Sequence, residues 1–281
     1  MKFLHIITSL CFIGSLQAGV KVVSSLSVVT EVVTALGVTD VYTLVPSGSD
    51  VHNYTLSSKN MKQLKQADLV FCVGLGLEYW LDAVGHPIHL NKNADFMPGQ
   101  TPHNHCHSKD YDPHIWLDPL EMSRMADVAC EALVQKDTAR AAFYRENLKL
   151  FQASMSALDA ELKAILKDIP QEKRRFIPYH DSFRYFARRY SFEIPITVLG
   201  SLSTEHGDVS AKHFIAVIQC IRSNKVRGLF AEKGQPTQMV EQLARETGLP
   251  PPKSLYVVPD KESNYSQMMR QNATLLKNHA Q

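Results

Sequence analysis

The chain has 281 residues, with 30 Lys and Arg against 28 Asp and Glu and a formal charge of +2 near pH 7. So even a balance, with no basic run to follow a phosphate backbone, excludes nucleic acid as a partner. Past the first residues no apolar stretch is long enough to cross a bilayer. The five cysteines form no CxxC pair, which argues against a disulfide-dense scaffold or a Cys-rich zinc finger.

In chain order, Lys2 is followed by an apolar run from Ile6 to Leu16 and by the small Ala18. This pattern predicts a signal peptide over 1–18 and an exported, periplasmic mature protein. Cys11 is lost with that peptide, because Leu10 before it is too bulky for lipoprotein processing. Val20 to Ser25 predicts a strand, Val28 to Leu36 a helix stopped by Gly37, and Val41 to Val45 a strand that delivers Asp50 and His52. A helix through Lys65 and a buried strand over Asp68 to Val73 continue the alternation. Between Gly74 and His107 the regularity fades. Repeated βα winding implies a mainly parallel sheet covered by helices.

A helical pattern without Gly or Pro fills 138–168, with Phe143, Leu150, Phe151, Met155, Leu158, Leu162 and Ile165 at three- and four-residue steps. It predicts a strut about 45 Å long. The α/β cycle then restarts with strands over Arg175 to Tyr179, Ile194 to Leu199, Val226 to Ala231 and Ser254 to Val258. The expected fold is therefore two α/β lobes, each a mainly parallel four-stranded sheet flanked by helices, at 19–137 and 169–281, joined by one long rigid helix.

The chemistry gathers around Asp112-Pro113-His114-Ile115-Trp116-Leu117-Asp118-Pro119, just behind the His-rich run His103-Asn104-His105-Cys106-His107. Imidazole is a donor that zinc and its neighbours prefer, and Pro113 presents His114 from a stiff turn. His52, His180 and Asp260 each follow a predicted strand end, where open α/β sheets bind ligands. Two donors from each lobe, His52 and His114 with His180 and Asp260, make a tetrahedral zinc set. Any one of these histidines alone is more often a surface or capping residue than a ligand. Asp50 and Glu232 are alternatives to Asp260, whose Pro-Asp setting also suits a helix cap. His103, His105 and His107 suggest an auxiliary metal-collecting loop.

Several stretches carry a family resemblance: Val51-His52-Asn53-Tyr54, Gly74-Leu75-Gly76-Leu77-Glu78, the Asp112 to Pro119 run, His180-Asp181-Ser182-Phe183-Arg184-Tyr185-Phe186 and Phe230-Ala231-Glu232. In this order they resemble the zinc/manganese solute-binding proteins of bacterial ABC importers. The resemblance implies a monomer, not an enzyme, that captures an ion with His52, His114, His180 and an acid at Asp260 and delivers it to a membrane permease. His at 180 and the His-rich loop point to Zn²⁺, with Mn²⁺ the alternative. Two features depart from the family: Val51 stands where Pro usually precedes the first ligand, and the loop after Asp260 is short. A secreted zinc hydrolase and a surface adhesin are the contrasting readings; no HExxH or GxSxG motif supports the hydrolase.

Overall fold

The computed structural model describes residues 19–47, 49–84, 86–98, 111–200 and 209–280. The signal-peptide segment and His103, His105 and His107 lie outside the described residues. In the first half, β1 (Lys21–Ser24), α1 (Ser27–Ala35), β2 (Asp40–Thr43), α2 (Ser58–Gln66), β3 (Leu69–Cys72), the short α3 (Tyr79–Asp82) and β4 (Ile88–His89) follow in turn. Their strands form one parallel sheet in the order β2-β1-β3-β4. Val28, Val29, Val32 and Val33 of α1 are fully buried against it. Each such side chain contributes roughly 1.5–3 kcal/mol through removal from water.

Two long helices come next, α4 (Pro119–Lys136) and α5 (Ala141–Leu166). Asp118 starts α4 by accepting from Leu120 N at 2.9 Å, with Pro119 in the first turn where its missing N–H costs nothing. A single 3₁₀ turn at Thr138–Arg140 precedes α5, so the expected unbroken helix begins three residues later. At 26 residues α5 is about 39 Å long. Met155, Leu158, Leu162 and Leu166 face inward, whereas Phe143 and Leu150 are exposed. Arg174 closes the C-terminal end, its guanidinium donating to the carbonyls of Leu166 and Ile169, both at 3.0 Å.

The second half holds β5 (Phe176–Ile177), α6 (Arg184–Tyr190), α7 (Ala211–Asn224), β6 (Gly228–Glu232), α8 (Gln238–Thr247), β7 (Lys253–Leu255) and α9 (Tyr265–Ala280). Among the described residues its parallel sheet has three strands, in the order β5-β6-β7, rather than the four expected. The segment expected as the extra strand does run beside β5. Glu193 N donates to Arg174 O, Val198 N to Pro178 O and Leu199 N to Tyr179 O at 2.8–3.1 Å. Pro178 and Pro195 lack the N–H groups that a regular ladder needs, so the pairing stays broken. The last strand is also shorter than expected. The Asn272 side chain takes the N–H and C=O of Tyr256 at 2.9 and 2.8 Å, which ends β7 at Leu255.

One core cluster runs from Val28 and Phe71 through Trp116, Met125, Leu158 and Leu162 to Phe176, Phe230 and Met268. The two sheets therefore share an interior along α4, α5 and α9. A second, smaller cluster around Ile177, Val217 and Leu243 backs the second sheet. No helix among the described residues is long and apolar enough to cross a membrane.

A partly buried ion-pair network centred on the buried Asp159 pins α6 to this strut. Arg189 donates to both oxygens of Asp159, at 2.8 and 2.6 Å, and Lys163 adds a third bond at 2.8 Å. Burial raises the Asp159 pKa, but Arg189 and Lys163 together outweigh it and hold the carboxyl below its ordinary value. Removing one partner of a buried pair leaves the other uncompensated. Arg189→Ala is expected to cost about 2–3 kcal/mol in urea unfolding at pH 7, part of the pairing surviving through Lys163. Because the folded pKa is depressed, this contribution is complete above about pH 4 and is lost as pH falls further. The gap between variant and parent therefore narrows in acid.

Candidate metal centre

Three histidines from three separate segments meet at the carboxyl ends of the two sheets. His52 lies in the turn after β2, where Asp50 Oδ1 accepts from His52 N at 2.9 Å and Asp50 Oδ2 from Asn53 Nδ2 at 3.2 Å. Trp80 Nε1 donates to Val51 O at 3.1 Å, anchoring the same turn to α3. His114 follows Pro113 and enters a single 3₁₀ turn, Ile115–Leu117. Trp116 within that turn donates from Nε1 to Val257 O at 2.6 Å, crossing from the first half of the chain to the second. His180 follows β5, and Glu232 beside it closes β6.

All three rings are buried, and one donor atom from each lies within 4.8 Å of the others. Their centroids are 5.0 to 5.6 Å apart. Two carboxylates orient two of the rings. Asp112 Oδ1 accepts from His114 N at 2.9 Å and from Nδ1 at 2.8 Å, so one oxygen holds both backbone and ring. Glu232 Oε2 bonds His180 Nδ1. With each Nδ1 committed as a donor, the lone pairs of the neutral rings reside on Nε2. Those two Nε2 atoms face one another at 3.2 Å. Two lone pairs so placed repel unless a proton or a cation lies between them.

Electrostatics divides the pair. Burial, followed by the neighbouring His180, pushes His114 well below the ordinary imidazole value. Burial acts on His180 in the same direction, but Glu232, Asp181 and Asp50 together more than reverse it, leaving that pKa raised. Of the two rings, His180 is therefore the one that holds a proton more readily. Behind the rings, burial pushes both Asp112 and Asp181 up to about 7.

The rings form the inner wall of a cleft open to solvent and lined also by Val45, Asp50, Val51, Glu232, Gln235 and Val258. Asp260 is not brought to this cluster. Its Oδ1 accepts from Ser263 Oγ at 2.7 Å and Glu262 N at 3.2 Å, organising the turn before α9. Early termination of β7 accounts for this, since Asp260 sits five residues past the strand rather than at its end. Glu232, nominated as a substitute ligand, instead orients His180. The orienting role of Asp112 was not anticipated, although a carboxylate two residues before a histidine across a proline is a readable signal for it.

Comparisons with known proteins agree on kinship. The family described as zinc-uptake complex component A, periplasmic, matches residues 22–279. The iron-binding protein YfeA of Yersinia pestis is 27% identical over 235 residues, covering 81% of this chain and 74% of its own. The manganese ABC transporter substrate-binding lipoprotein PsaA of Streptococcus anginosus is 25% identical over 247 residues, covering 82% of this chain and 77% of its own. A crystal structure of ZnuA superposes with a TM-score of 0.80 at 26% identity, over 94% of this chain and 100% of that one. With its two parallel sheets, long helix and matched span of 22–279, this chain belongs to the zinc-uptake complex component A family, substrate-binding proteins of metal ABC transporters and not enzymes.

Proposed function

We propose that this protein is the extracytoplasmic, periplasmic solute-binding component of a metal ABC importer, a monomer that captures Zn²⁺ with His52, His114 and His180 and passes it to a membrane permease. The observation that carries the reading is the 3.2 Å separation of two carboxylate-oriented Nε2 atoms. Zinc bound by imidazole at about 2.0–2.1 Å in a tetrahedron separates neighbouring donors by about 3.3–3.4 Å. The present spacing needs only a small adjustment to reach that value.

Donor chemistry supports zinc over manganese. Imidazole suits zinc, whereas manganese favours carboxylate, carbonyl and water oxygens. In this reading the acids around the rings serve other roles: Asp112 and Glu232 orient rings, Asp50 holds the His52 turn and Asp260 organises its own. The fourth donor is then solvent from the cleft. Relatives named for manganese and iron make Mn²⁺ the runner-up cargo.

Competitive titration of the metal-free protein tests the assignment. One Zn²⁺ per chain is expected, bound more tightly than Mn²⁺. His114→Ala is expected to weaken zinc by at least about 100-fold, the loss of a direct ligand exceeding the 10–100-fold typical of an orienting partner. Asp260→Ala is expected to change it by less than about threefold, the loop contact costing stability rather than affinity. A large loss with Asp260→Ala would restore that carboxylate as the fourth ligand.

Acid should release the ion in a definite window. Because the His180 pKa is raised, its proton competes with metal already above the ordinary imidazole value of about 6.5. His114, with its lowered pKa, does not compete there. Zinc affinity is expected to fall as pH drops through neutrality, with a net release of protons on binding. Isothermal titration in buffers of different ionisation enthalpy measures that release directly. Binding with no proton uptake or release across this range would contradict the assignment.

A further inference from the structure

Helix α6 begins four residues after His180 and sends three side chains to the segment that carries His114. Tyr185 is fully buried, and its hydroxyl is doubly engaged. It accepts from Met97 N at 3.0 Å and donates to Asp112 O at 3.1 Å. Arg184 donates to Pro98 O. Arg188 donates to Asp95 O at 3.3 Å and pairs with the Asp95 carboxylate at 3.1 Å.

Met97 and Asp112 are themselves joined, Asp112 N donating to Met97 O at 3.0 Å, and Pro98 pairs with Tyr111 in an antiparallel bridge. The Tyr185 hydroxyl therefore ties together both chain segments of this stem. Asp112, one of its two partners, is the residue whose carboxylate holds the His114 ring. A closed path results, running from His180 along the chain to Tyr185, across to Asp112, on to His114 and back to His180 through the 3.2 Å contact.

A phenylalanine would fill this apolar site as well, without a buried hydroxyl that must be satisfied. The hydroxyl is explained by what it grips. We propose that Tyr185 is a positioning residue of the metal centre: by holding the Asp112 backbone it sets how far His114 stands from His180, and so the size of ion the histidines accept. This rests on the reading of His52, His114 and His180 as the ligand set. The site is then built to size before any ion arrives, and the cost of bringing two lobes' ligands together is met during folding.

The test compares Tyr185→Phe with Phe186→Leu, a neighbouring substitution of a fully buried ring on the same helix. Each variant is titrated competitively with Zn²⁺ and with the larger Cd²⁺, and the metal-free proteins are melted thermally. Tyr185→Phe is expected to weaken zinc about 10-fold, the lower end for an orienting contact, and cadmium less, so that the preference for zinc shrinks. Phe186→Leu is expected to lower Tm while leaving both affinities within about twofold, because it touches none of the path's polar links. Zinc affinity of Tyr185→Phe within about twofold of the parent would overturn the proposal, as would an equal loss in Phe186→Leu. The parent's titration is read first. If it binds no zinc in the cleft, the ligand-set reading itself fails and the positioning role falls with it.

Discussion

Everything at the cleft depends on two carboxylate–imidazole bonds, Asp112 to His114 and Glu232 to His180. Each commits one ring nitrogen as a donor and leaves the other as an electron pair. Because the two bonds sit on opposite sides of the site, the electron pairs converge on one point. A protein that needed these histidines only for packing would have no reason to aim them so. The buried acids also make the site hospitable to positive charge, and they raise the His180 pKa. In the proposed site, proton and metal compete for the same nitrogens.

Packing explains why this convergence is kept in place. The main core cluster passes without interruption from the helices of the first sheet, through α4 and α5, to α9 and the second sheet. Trp116 stands at its centre, donating to Val257 O while Tyr265 donates back to Trp116 O at 2.7 Å. Wide separation of the sheets would expose this aromatic interior, at roughly 25 cal/mol for every Å² of apolar surface. Small shifts in the turns around the cleft would leave this interior closed. A long helix packed along its length conveys stiffness where a flexible linker would allow a hinge.

Much of this was legible in the residues. β-branched runs alternating with helical periodicity predicted the parallel α/β winding, and the unbroken pattern after Thr138 predicted the strut. The three histidines were legible because each follows a strand end or a proline-stiffened turn, positions where this class of sheet presents ligands. Asp260 meets the same criterion, but its carboxylate is engaged elsewhere for a reason beyond local pattern. The Asn272 side chain, sixteen residues beyond Tyr256, ends β7 early and leaves Asp260 inside a turn of its own. The segment from Ile194 likewise has strand-like composition, and its irregularity comes from a proline on each side of the pairing. Both differences concern partners that only tertiary structure supplies. The division of labour among acids is of the same kind: Glu232 was visible as a nearby carboxylate, but not as the one that orients His180.

X-ray absorption spectroscopy of the zinc-loaded protein reports directly which atoms surround the ion. Three imidazole nitrogens at about 2.0–2.1 Å with one light oxygen donor and no sulfur are expected, in a four-coordinate shell. A shell with fewer than three imidazoles, or one containing sulfur or dominated by oxygen at higher coordination, would show that the converging histidines are not what holds the metal.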